Sequence, residues 1–257
     1  MRNSILAGLV CLGTASAGWA DGLTDAGFQF SADYTRSSSA GNDIDMLTFE
    51  ATTDLRFGNN FRLGVGLGHS NMDAFGFDFG ATSISLHPGY EVSPGLILGG
   101  FISHTTTTTP ANFSPFNLYG LEADYFGEGF NISAYYGELT GSNVPSAGTN
   151  TSAGVSVAFD INPRLQVYAD YDRDNFDFWG MDVTGTFLGV RWVIFDGISS
   201  AIPANLDVGV GRLEVNGVDY DQIRIGVNIP LGNQSQPDQS RDIDPFQSIG
   251  LQHTFSF

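Results

Sequence analysis

Between Asp43 and His69 the chain reads DIDMLTFEATTDLRFGNNFRLGVGLGH, a stretch with one dominant period. Leu47, Phe49, Ala51, Thr53, Leu55 and Phe57 alternate with Thr48, Glu50, Thr52, Asp54 and Arg56. After Gly58-Asn59-Asn60 the alternation resumes, with Phe61, Leu63, Val65 and Leu67 against Arg62, Gly64, Gly66 and Gly68. A period of two puts successive side chains on opposite faces of a strand. A short Gly/Asn connection between two such runs reverses the chain into an antiparallel hairpin. Each arm is about ten residues long, the length at which a tilted strand crosses a bilayer. The unit recurs along most of the chain. This predicts an all-β fold, an antiparallel transmembrane β-barrel of about 12 strands, with 14 as the alternative.

The first twenty residues carry a different pattern. Arg2 precedes an apolar run from Ile5 to about Ala17, and Gly18-Trp19-Ala20 precedes Asp21. A positive charge, a short apolar core and small residues before a polar stretch predict a secretory signal peptide over residues 1–20, cleaved after Ala20 or after Ala17. Cys11, the single cysteine, lies within it, and Val10 before it is bulkier than lipoprotein attachment calls for. Disulfides therefore contribute nothing to the expected mature chain. An exported chain with no apolar run long enough for a helical span, but many amphipathic strands, points to the outer membrane of a Gram-negative bacterium. The formal charge of −18 becomes −19 once Arg2 is removed, and all ten basic residues are arginine. Such an acidic balance excludes nucleic acid as a partner.

Beyond the organising hairpin, strands are expected at 27–34, 81–92, 96–104, 117–126, 130–139, 151–160, 164–173, 181–195, 205–215 and 220–231. Connections after even strands are mostly tight and those after odd strands mostly longer, which predicts that strand one starts in the periplasm. The barrel is expected over 21–231. Residues 232–257 begin as a polar, Pro-containing linker (GNQSQPDQSRDIDPFQ) and end in a strand-like run of Ile249, Leu251, Phe255 and Phe257.

With the apolar parity facing lipid, the other parity lines the lumen. It carries Asp33, Glu50, Asp54, Arg56 and Arg62, then Glu122, Asp124, Asp160, Asp170 and Asp172, then Arg191 and Arg224. In a closed barrel the last strands adjoin the first. That gathers Arg56, Arg62, Arg191 and Arg224 broadly on one wall and Glu122, Asp124, Asp160, Asp170 and Asp172 on the other. Two readings follow: a transverse field that orients polar solutes in an open lumen, or salt-bridged plugs that fill and stiffen it.

The signal-like leader, the lysine-free acidic barrel, strands such as NLYGLEADYF and SADYT, and the terminal Phe257 together resemble the porins of alphaproteobacteria. The chain is shorter than general porins of 16 strands or more, and the stretch 105–115 is its best candidate for a constriction loop. The resemblance implies a non-enzymatic channel for passive diffusion of ions and small polar solutes, without a cofactor. The alternative is a structural or adhesive barrel with a side-chain-filled lumen. It also implies contact with outer-membrane lipid and with the barrel-assembly machinery through the Phe257 segment, and it leaves the oligomeric state open.

Two weaker signals compete. Asp170, Asp172 and Asp174 have the spacing that opens an EF-hand loop, but Asn175 stands where glycine belongs and Met181 where glutamate belongs. No metal site is assigned there. Some barrels of this size are phospholipases, which need a serine–histidine pair on the lipid-facing surface. His69 and His104 have the outward parity, yet neither lies in a serine motif of that family.

Overall fold

In a computed structural model, residues 23–39, 42–74, 77–107, 115–141, 150–176, 181–195 and 203–232 are described. They form twelve strands: β1 (Leu23–Ser39), β2 (Asn42–Phe57), β3 (Phe61–Ala74), β4 (Phe77–Ser93), β5 (Leu96–Thr107), β6 (Phe116–Gly127), β7 (Phe130–Gly141), β8 (Asn150–Asn162), β9 (Leu165–Phe176), β10 (Met181–Phe195), β11 (Ala204–Val215) and β12 (Val218–Gly232). Each pairs antiparallel with its sequence neighbours, and β1 pairs with β12 from Gly27↔Gly232 to Ser38↔Asp221. The ring is closed by these twelve strands alone, so the alternative of 14 is set aside. The expected signal peptide (1–20) and the segment ending in Phe257 lie outside the described residues.

Period-two alternation becomes a two-faced wall. Outward-facing Leu86, Ile102, Leu121, Leu188, Val210, Ile223 and Ile225 are exposed. Aromatic side chains cluster near one rim, where Phe57 and Phe61 stand 5.9 Å apart and Tyr125 and Phe130 5.5 Å apart. An apolar outer band flanked by aromatics is what hydrocarbon and headgroups select in a spanning barrel, and closure leaves no strand edge unpaired in lipid.

The two ends differ. At the lower end, where β1 begins and β12 finishes, the register shifts at Leu23/Asp25, Glu91/Ser93, Asp160/Asn162 and Val193/Phe195. Such bulges tighten the local twist at a rim. At the upper end Asn216 (φ 51°) and Gly217 (φ 81°) join β11 to β12. Two consecutive left-handed residues are what a two-residue primed turn requires, hence Asn-Gly.

Strands β1, β2 and β4 are 17, 16 and 17 residues long, against 12 for β5, β6 and β7. The expected first strand, 27–34, was short at both ends. Apolar alternation fades where a strand leaves the hydrocarbon, but the backbone ladder continues through Ser37↔Gln222. The loop expected at SSSAGN is correspondingly shorter.

Candidate functional site

The interior has two layers. The middle and lower part is a charged belt; the upper part carries an apolar cluster, the collar, among buried polar side chains that include Asp174 and Ser152.

The belt holds two arginine clusters. On β2–β4, the Arg62 guanidinium lies 2.8 Å from Glu91 and 3.7 Å from Asp54, and Arg56 reaches the same Asp54 at 4.0 Å. On β9–β12, the Tyr168 hydroxyl donates to Asp207 at 2.5 Å and accepts from Arg224 at 2.8 Å. Arg224 also faces Asp170 at 3.5 Å and Asp207 at 3.7 Å, and Arg191 faces Asp207 at 3.5 Å. Both guanidinium carbons sit over the Tyr168 ring, at 5.6 and 5.4 Å from its centroid, and Arg224 lies 4.7 Å from the Phe187 ring. A planar guanidinium can stack and bind a carboxylate at once, which an ammonium cannot. Glycines make this possible: a Cβ on Gly189 would fall 2.2 Å from the Tyr168 ring.

Every sequence-selected residue lies on the inward parity of its strand. Glu50, Asp54, Arg62, Glu122, Asp124 and Asp172 are buried, while Arg56, Arg191, Arg224 and Asp170 are partly buried. Asp160, at the lower rim, is exposed and accepts from Gln166 at 3.0 Å. Glu50 accepts from Ser31 at 3.4 Å, Asp170 from Ser156 at 2.6 Å and Asp172 from Tyr135 at 3.0 Å. The structure does not gather Arg56, Arg62, Arg191 and Arg224 into one bare cationic wall. Each has an acid on its own or a nearby strand, because a charge removed from water needs a partner within a few ångströms. Sequence reasoning left Asp207, Tyr168 and Asp174 out of the lining. Their signal was present: all three share the parity of neighbours that were chosen.

On β4 and β6, His87 Nδ1 lies 2.8 Å from Glu122 Oε2, and His87 Nε2 lies 3.1 Å from Ser85 Oγ. The order serine–histidine–glutamate is that of a hydrolytic relay. Acyl transfer also needs backbone donors for an oxyanion, and the amides of β3, β4 and β5 around Ser85 are committed to strand pairing. Close packing accounts for the arrangement. A Cβ on Gly66 would stand 2.4 Å from Ser85 Oγ, so glycine is what admits the serine.

The collar comprises Ile44, Met46, Met72, Phe101, Phe116, Leu118, Leu139, Val183, Phe187, Leu213, Val215 and Tyr220, buried in one continuous cluster. Hydrogen bonds such as Gln222 to Ser37 at 2.8 Å seal the β12–β1 closure beside it. None of its members was chosen from the sequence, because an apolar residue of inward parity looks like an interruption of the pattern.

Comparison with known proteins agrees with this architecture. The KdgM porin superposes with a TM-score of 0.52 at 12% identity, over 77% of this chain and 98% of that one. The NanC porin gives 0.57 at 8% identity, over 79% and 100%. An outer membrane channel from Pseudomonas putida F1 gives 0.57 at 10% identity, over 81% and 94%. At these identities the likeness is one of fold. No curated protein sequence matches the chain. The family model of the Gram-negative porins matches residues 23–178, more than half of the sequence. A closed twelve-stranded barrel, apolar outside and charged within, thus carries the sequence signature of that group: the chain belongs to the Gram-negative porin family.

Proposed function

We propose that the barrel is a passive channel for ions and small polar solutes, with a preference for cations. One observation carries this reading: the inward parity is polar and charged along the belt, and its acids outnumber its arginines. Asp33, Glu50, Glu122, Asp124 and Asp172 add to the carboxylates paired with Arg56, Arg62, Arg191 and Arg224. Fixed charge of one sign in a narrow low-dielectric passage concentrates the opposite ion. Solutes cross by diffusion, without a cofactor or a reaction. With strand one starting in the periplasm, the collar faces the cell exterior and the bulged rim faces inward. The terminal Phe257 segment then serves contact with the assembly machinery.

Conductance of the refolded barrel in a planar bilayer, with the reversal potential read across a salt gradient, tests the proposal. Salt-scaled steps with a cation-selective reversal potential are expected. Anion selectivity would contradict the charge argument. Silence from a folded barrel would favour the second reading, a structural barrel with a filled lumen. The observation behind that reading is the burial of inward side chains, with Leu213 and Asp174 at 0% exposure.

A further inference from the structure

We propose that the apolar collar at the upper end of the lumen is the conduction barrier of this channel, a constriction that excludes water and hydrated ions until it is wetted. The inference rests on the channel reading above. Its core is Met46, Met72, Leu118, Leu139, Val183 and Leu213, of which Leu118, Val183 and Leu213 are no more than 1% exposed. All six lie within a few residues of the upper ends of their strands, so they share a level. They come from β2–β3, β6–β7 and β10–β11, arcs of the wall that do not adjoin, yet they belong to one cluster. The cluster therefore reaches through the interior.

Insertion into lipid does not require this layer. A spanning barrel needs an apolar face toward the hydrocarbon, and the outward parity already supplies it. An apolar layer on the inward parity buries itself only by excluding water from the passage at that level. Just below, the belt offers Glu50, His87, Glu122, Asp170 and Asp207 as partners for a cation. The apolar members of the collar offer none. The polar groups buried at their level are held within the protein, Gln222 by Ser37 and Ser152 by Tyr135, with Asp174 opposite Val183. An ion entering the cluster loses hydration with little replacement, and narrow, largely apolar passages empty of water for that reason. Selection by charge and the barrier to entry are thus assigned to different layers.

The test compares the wild-type barrel with Leu118→Ser and Leu213→Ser in planar bilayers, with heat-modifiable gel mobility establishing that each is folded. Serine shortens the side chain and gives water a partner. Wild-type current should be small or intermittent, and each serine variant should raise mean conductance by about threefold or more. The conservative Leu213→Ile should leave it unchanged. If a serine variant lacks the folded band, Leu118→Ala, which widens the layer without a polar group, carries the test with a smaller rise. Steady wild-type conductance that no folded variant alters would overturn the barrier and leave the channel standing. Silence from wild type and every folded variant would overturn the channel reading and the barrier with it.

Discussion

Belt and collar are built from the same strands a few residues apart, yet they solve opposite problems. In the belt, Arg224, Asp170, Asp207 and Tyr168 come from β12, β9 and β11 and hold one another by charge and hydrogen bonds. Their energy is conditional: each group is worth having only while its partner is present. In the collar, Leu118, Val183 and Leu213 hold together by the exclusion of water, which is proportional to area and indifferent to partner identity. The belt is therefore a set of specific dependencies and the collar a shared pool. The wall that carries both is the ordinary alternating strand of a spanning barrel.

That contrast ranks the consequences of mutation. Arg224→Ala should be the most damaging, because in a partly dry interior it removes the arginine facing Asp170 and leaves Asp207 with only Arg191 and the Tyr168 hydroxyl. Loss of one partner from a buried pair costs about 3–5 kcal/mol, to be read as a lower urea midpoint in detergent micelles. The double variant Arg224→Met with Asp170→Leu, which leaves Asp207 its contacts with Arg191 and Tyr168, should recover part of that loss; no recovery would mean that packing, not charge, dominates. Leu213→Ala, in the collar, should cost about 2–4 kcal/mol for the lost burial and the cavity left behind, with ion selectivity unaltered. A selectivity change there would break the division between layers. Gly189→Ala should follow at about 1–3 kcal/mol, since its new methyl meets the Tyr168 ring and must push it from the two guanidinium groups; near-ultraviolet circular dichroism would register the displaced tyrosine. Arg173→Ala should be the mildest. Arg173 lies 2.9 Å from Asp182, but both are about half exposed on the outer surface above the lipid, and such pairs are heavily screened. Neither the urea midpoint nor the conductance should move.

Much of this was legible in the chain. The two arms around Gly58-Asn59-Asn60 announced a hairpin, and the same period elsewhere marked the other ten strands. Parity alone placed Glu50, Glu122 and Asp172 on the inward face. What parity does not carry is neighbourhood across the barrel. His87 and Glu122 are 35 residues apart, Tyr168 and Arg224 56 apart, and Ser37 and Gln222 185 apart. The expected division into a basic and an acidic wall does not hold at Asp207, which stands between Arg191 and Arg224; parity and the order β10, β11, β12 already carried that signal.

The sequence by itself determined the class of fold and the face of each strand, because lipid and lumen impose opposite polarity on alternate residues and a period of two records that directly. It determined the turns as well, since Asn216-Gly217 encodes its own backbone geometry. Only the tertiary structure decided how the interior is partitioned. Closure of β1 on β12 sets the stagger of all twelve strands, and the stagger selects which inward side chains share a level. Met46, Leu118, Val183 and Leu213 become a layer only when that ring is closed.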